Sequence, residues 1–182
     1  LSDRRALSRL NDSKQHTSDA REELYPLVLR AAARSVIVSR CVGVIDSRGL
    51  HNTNLEALRT ALLGVACHGA VCLVDGFRLG PLAPQHEAVV DGDEKSAAIA
   101  AASIVAKVVR DRYMRRMDAL LPHYGFVSHV GYITPGHSAV VRERGPSEIH
   151  RRSFEARCYA ELDEPLEEAA LPGEVVAEPA RA

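Results

Sequence analysis

No stretch of the sequence approaches the roughly 20 consecutive apolar residues that a membrane-spanning helix requires. Its first ten residues, LSDRRALSRL, have no apolar core of the secretory kind. The expectation is a cytosolic protein with no membrane partner. Cysteine is sparse. Cys41, Cys67, Cys72 and Cys158 form no CxxC pair and have no histidines beside them at zinc-ligand spacing, which argues against a structural zinc site and predicts reduced, mostly buried thiols. Internal repeats are absent. The histidines at positions 16, 51, 68, 86, 123, 129 and 137 form no acid/base or zinc constellation along the chain. Net charge is also nearly absent, at -1, but this balance conceals an uneven distribution.

Residues 155–182 hold eight acidic against two basic side chains, a net of -6, so residues 1–154 carry +5 from 21 basic and 16 acidic residues. Much of the positive charge lies in Arg110, Arg112, Arg115, Arg116, Arg142, Arg144, Arg151 and Arg152. Such a distribution is compatible with a phosphate-binding face and equally with a solvated helix surface. A length of 182 residues with 46% hydrophobic content suits one globular domain. That domain is expected over residues 1–154, followed by an acidic, proline-containing and mostly disordered tail over 155–182.

Residues 18–33 open with a capping serine followed by acids in the first turn, predicting a helix with Pro26 as a kink. Residues 35–42 (SVIVSRCV) alternate and are β-branched, predicting a strand, and residues 54–68 have helical periodicity. The run AVCLVD at 70–75 reads as a buried strand with its polar end at a sheet edge, and 87–90 as a second short strand. An alanine-rich helix over 94–121 carries Ile104, Val105, Val108, Val109, Met117, Leu120 and Leu121 as one apolar stripe. A short helix follows near 138–144. Alternating strands and helices predict an α/β layer architecture.

Asp75 ends the buried strand and Asp93 lies at the start of the alanine-rich helix. A turn-forming Asp75 and a helix-capping Asp93 are the simplest readings by spacing, while two acids at element ends also suit a Mg²⁺ or Mn²⁺ site. Asp111 lies about 27 Å further along a continuous helix than Asp93 at 1.5 Å per residue, so it is expected to be structural and paired with Arg115 one turn on.

The motifs LVDG at 73–76, GDEKS at 92–96 and AAASIVAKVVRDR at 100–112 resemble the core of ribonuclease HII. NDSK at 11–14, GLHNTNLEA at 49–57, GYIT at 131–134 and GPSEIHRRSF at 145–154 resemble other segments of that family in the same order. The resemblance implies an RNase H-like α/β fold with a central mixed sheet. It also implies an endonuclease, acting in DNA replication and repair, that hydrolyses the RNA strand of RNA/DNA hybrids and cuts at ribonucleotides embedded in duplex DNA. The family mechanism uses two divalent ions, Mn²⁺ or Mg²⁺, held by four carboxylates, and yields 5′-phosphate and 3′-hydroxyl ends.

Asp75 and Asp93 match two of those carboxylates, so both are candidate catalytic and metal-binding residues. The matching positions for substrate contact are Asn11, Ser13, Lys14, Ser96 and Tyr132, with Ile133 replacing a small residue usual in the tyrosine's motif. Lys107 is expected to serve structure or long-range electrostatics. His150, Arg151 and Arg152 match a segment that locks the C-terminal helix onto the domain. The family's other two carboxylates belong to a DEAGRG-like segment before NDSK, which LSDRRALSRL does not resemble. The chain is thus expected to lack the first strands of the family fold, and a monomer is expected. Two rival readings are an inactive fragment that binds hybrids without cutting, and an interaction module that uses the acidic tail.

Overall fold

The computed structural model of the chain describes Leu10 and residues 16–153. The predicted tail at 155–182 lies outside them.

Helix α1 (Ser18–Ala31) is capped by Thr17, one residue earlier than predicted, whose hydroxyl accepts from the Ala20 amide at 3.2 Å. The predicted strand at 35–42 does not form. Residues 34–40 have no regular structure, and a short helix α2 (Val42–Arg48) begins where the strand would have ended. Alternation alone does not make a strand; the backbone needs a hydrogen-bonding neighbour. None pairs with this segment among the described residues, and Ile37 remains 49% exposed.

Helix α3 (Leu50–Val65) starts four residues earlier than its periodicity predicts, after Gly49 at φ 80°. The buried Thr53 hydroxyl donates to the Gly49 carbonyl at 2.8 Å. Strands β1 (Leu73–Asp75) and β2 (Glu87–Val89) pair in parallel, with Val74 opposite Ala88 and Asp75 opposite Val89. The expected mixed sheet is thus a two-stranded parallel sheet among the described residues, within an α/β fold that is mostly helical.

The alanine-rich segment is divided. Helix α4 (Gly92–Lys95) stops at Ser96, whose backbone is extended (φ -135°, ψ 118°), and helix α5 (Ala97–Leu120) starts immediately after it. Ile104, Val105 and Val108 pack with Ala100 and Ala101 against Leu24 and Val28 of α1, and Leu10 joins the same cluster. The alanines let the two helices approach closely, and each large apolar side chain buried there contributes about 1.5–3 kcal/mol. The predicted stripe fails at its far end, where Leu120 is 73% exposed and Met114 is buried instead. A second cluster, Leu62, Val74 and Leu79, joins α3 to β1.

Past a 3-10 turn (Pro122–Tyr124), helices α6 (Phe126–His129) and α7 (Pro135–Arg144) complete the described elements. Thr134 caps α7 by accepting from the His137 amide, with Pro135 in the first turn. The Asp46 carboxylate of α2 accepts from the Arg152 and Ser153 amides and the Ser153 hydroxyl, tying down the last described residues. The thiols are less buried than expected: Cys41 and Cys67 are exposed and Cys72 is half-buried, while Cys158 lies outside the described residues. No described helix is long and apolar enough to cross a membrane.

Candidate functional site

In a parallel pair both strands end at the same edge, so β1 delivers Asp75 to the edge where β2 leads into α4. The Gly92 amide donates to Asp75 Oδ1 at 3.0 Å. Asp93 is the next residue, half-buried in the first turn of α4, while Asp75 itself is exposed. The structure therefore gathers the two sequence-predicted carboxylates into one locality. Gly92 opens the GDEKS motif, but nothing in the sequence indicated that its amide would hold Asp75. A Cβ there would lie 2.5 Å from Ile99 Cδ1 and 3.1 Å from Asp75 Oδ1, so glycine lets α4 close onto Asp75.

Ser96 borders this edge as the break between α4 and α5; its amide donates to the Gly92 carbonyl at 2.8 Å, and its side chain caps nothing. Lys95 Nζ donates to the Val90 carbonyl at 2.7 Å. As donors, the two carboxylates fit part of the oxygen shell of a hard divalent cation. No group of three or more metal-ligating side chains occurs among the described residues. Asn11, Ser13 and Lys14 lie outside the described residues.

Tyr132 is not beside the carboxylates. It is 55% exposed on the loop between α6 and α7, and its hydroxyl accepts from Lys107 Nζ at 2.7 Å. Lys107 is about 15 Å along α5 from Ala97 at the helical rise. The same ammonium donates to Asp111 Oδ1 at 2.9 Å, and Arg21 and Arg110 lie 3.5 and 3.7 Å from that buried carboxylate. Asp111 is structural as expected, although the helix assumed to run on from Asp93 is broken at Ser96, and its partners are Lys107, Arg21 and Arg110 rather than Arg115. Arg115 and Arg112 instead clamp Glu22 of α1, at 3.2 and 3.0 Å. The Arg112 hydrogen bond holds the Glu22 carboxyl below its usual range. Arg110, Arg112 and Arg115, three of the arginines suggested as a phosphate face, are therefore engaged within the protein.

The Tyr132 loop is strained. Val130, a β-branched residue, has φ 42°, and Gly131 has φ 80°. Arg110 Nη1 donates to the Val130 carbonyl at 2.7 Å and His137 Nδ1 lies 2.9 Å from the Tyr132 carbonyl. The buried His137 and His150 meet through their Nε2 atoms at 2.9 Å, and His129 stacks on His137 with centroids 4.2 Å apart. No sequence signal marked this cluster, because eight and thirteen residues separate its successive members.

Comparison with known proteins adds the following. The family model described as Ribonuclease HII matches residues 4–157. A ribonuclease HII of Nocardia farcinica is 45% identical over 148 residues, covering 81% of this chain and 59% of the relative. The ribonuclease HII of Mycobacterium avium is 44% identical over 149 residues, covering 82% and 65%. This chain thus spans about three-fifths of the length of these relatives. The crystal structure of the ribonuclease H2 from Pyrococcus horikoshii OT3 shares the fold, with a TM-score of 0.69 at 23% identity over 88% of this chain and 85% of that one.

Proposed function

Since this chain belongs to the ribonuclease HII family, we propose that it takes part in hydrolysing the RNA strand of RNA/DNA hybrids and in cutting duplex DNA at embedded ribonucleotides. The products would be 5′-phosphate and 3′-hydroxyl ends. The observation that carries this reading is the shared edge at which the Gly92 amide holds Asp75 next to Asp93. In this proposal Asp75 and Asp93 are the chain's ligands for Mn²⁺ or Mg²⁺. Such ions, when bound, activate a water and stabilise the leaving 3′ oxygen. The Gly92 hydrogen bond orients Asp75 by engaging one of its oxygens, and the partial burial of Asp93 limits the freedom of the second carboxylate.

Ser96 is near enough in sequence to Asp93 to meet a phosphate at the same edge, and Asn11, Ser13 and Lys14 are proposed to contact the nucleic-acid backbone. The exposed ring of Tyr132 offers an aromatic face to a sugar or base. The proposed nucleic-acid contacts thus fall to Ser96 at the hydrolytic edge, to Asn11, Ser13 and Lys14, and to Tyr132 on the loop between α6 and α7.

The test follows cleavage and binding together, using an end-labelled DNA duplex with one ribonucleotide and Mn²⁺. Asp75→Asn and Asp93→Asn should each abolish cutting while leaving duplex binding within a few-fold. Undiminished cutting by both variants would overturn the assignment of the site. Binding without cutting by the unaltered chain would reduce the function to recognition.

A further inference from the structure

Hydrogen positions in the buried histidine cluster can be deduced from the one donor that cannot change. The Ser147 amide donates to His150 Nδ1 at 3.0 Å, and the Ser147 hydroxyl lies 2.7 Å from the same atom. Nδ1 of His150 is therefore an acceptor, and a neutral ring keeps its hydrogen on Nε2. That hydrogen points at His137 Nε2, 2.9 Å away. His137 must then carry its own hydrogen on Nδ1, where the Tyr132 carbonyl accepts it at 2.9 Å. Each tautomer dictates the next, from Ser147 to the peptide of Tyr132.

The surroundings keep the chain neutral. Phe126 lies against all three imidazoles, with centroids 5.6 to 5.7 Å away, and Tyr124 covers His150 at 5.1 Å. His129 is fixed separately, since the Gly131 amide donates to its Nδ1 at 3.1 Å and its Nε2 faces the Tyr124 carbonyl at 2.8 Å. Burial lowers the pKa of both His137 and His150, and a charge on His137 or His129 further disfavours protonation of His150.

The end of this chain is a strained, exposed loop with three fixed points. Arg110 holds the Val130 carbonyl, Lys107 the Tyr132 hydroxyl and His137 the Tyr132 carbonyl. The first two are exposed, and only the third is partly buried and tautomer-specific. We propose that His137, locked as its Nδ1–H tautomer by His150 and Ser147, is a positioning residue that sets the Tyr132 peptide for contact with a ribonucleotide-bearing duplex. The inference rests on the reading of Tyr132 as a nucleic-acid contact. A ring that merely filled space could be exchanged for phenylalanine without loss; a required donor could not.

Two measurements on the full chain test it. Long-range ¹⁵N NMR of the imidazoles at neutral pH should show hydrogen on Nδ1 of His137 and on Nε2 of His150; any other tautomer, or a charged ring, overturns the proposal without reference to nucleic acid. Fluorescence anisotropy with a labelled duplex holding one ribonucleotide should show His137→Phe binding about tenfold more weakly, as expected for one lost buried hydrogen bond. His137→Asn, which keeps an N–H donor close to the Nδ1 position, should recover most of that loss. In a Tyr132→Ala background His137→Phe should have no further effect; an equal loss in both backgrounds means that His137 acts through general folding and overturns the proposal. No binding by the unaltered chain would overturn the reading of Tyr132, and this inference with it, whereas binding with additive losses would overturn the inference alone.

Discussion

Gly92 and Asp75 are joined by one hydrogen bond, 3.0 Å from amide to Oδ1, across a gap that has no room for a methyl group. The bond orients a carboxylate at the end of a three-residue strand, where the sheet alone would leave it free to turn. The gap exists only because residue 92 has no side chain.

Gly92→Ala should therefore displace Asp75 as well as Ile99. Overpacking of this kind typically costs about 1–3 kcal/mol. The expected result is a lower urea midpoint together with weaker Mn²⁺ binding by titration calorimetry. Normal Mn²⁺ affinity in the folded variant would show that the Asp75 orientation is unimportant.

Asp111 is 4% exposed and faces three cationic side chains. Asp111→Asn keeps its shape and removes the charge that compensates Lys107. Because Lys107 and Arg110 retain some solvent, the loss should be roughly 2 kcal/mol, below the cost of breaking a fully buried pair. Chemical unfolding measures it, and an unchanged midpoint would mean that water already satisfies these cations.

Acid should destabilise the protein through His150. The His150 pKa is depressed from 6.5 to about 4, chiefly by burial. Above 6.5 neither the folded nor the unfolded state holds the proton. Between 6.5 and 4 the unfolded chain binds a proton that the folded ring refuses, so stability falls as pH falls, until both states are protonated below about 4. The loss should be on the order of 2 kcal/mol after allowing for solvent screening. Urea midpoints collected across this window should slope downward toward acid, and His150→Gln should flatten the slope.

Asp46 holds the chain at Arg152 and Ser153 through three donors, and the Ser153 hydrogen bonds hold its carboxyl below the usual range. In Asp46→Ala the amides of residues 152 and 153 should lose hydrogen-exchange protection while those of α5 keep it. Equal loss in both places would identify Asp46 as a global stabiliser instead.

Local pattern predicted the elements whose physics is local. The acidic start of α1 and the first half of the α5 stripe were legible, whereas of the run at 70–75 read as a buried strand only Leu73–Asp75 forms one, with Val74 alone buried and Val71 84% exposed. Helix α2 and the failure of the strand at 35–42 were not, because a strand's existence depends on a partner elsewhere in the chain. The break at Ser96 was hidden by helix-forming residues on both sides. Asp75 and Asp93 could be singled out through family resemblance, yet the amide that joins their locality belongs to a glycine with no chemistry of its own. The Lys107–Tyr132 contact and the pairing of His137 with His150 escaped notice for a related reason: the partners are 25 and 13 residues apart, and only packing brings them together.

Helix α5 runs for 24 residues without interruption between the Ser96 break and its end at Leu120. One residue inserted between Ala97 and Lys107 would advance everything beyond it by about 1.5 Å and turn it by about 100°, carrying Lys107 and Asp111 away from Tyr132. The connection at 66–72, by contrast, has no buried residue, so its length can vary without disturbing the core. Length variation during descent should therefore be tolerated in that connection and purged from α5, whose residue count sets the spacing between the Ser96 break and the Lys107–Tyr132 contact.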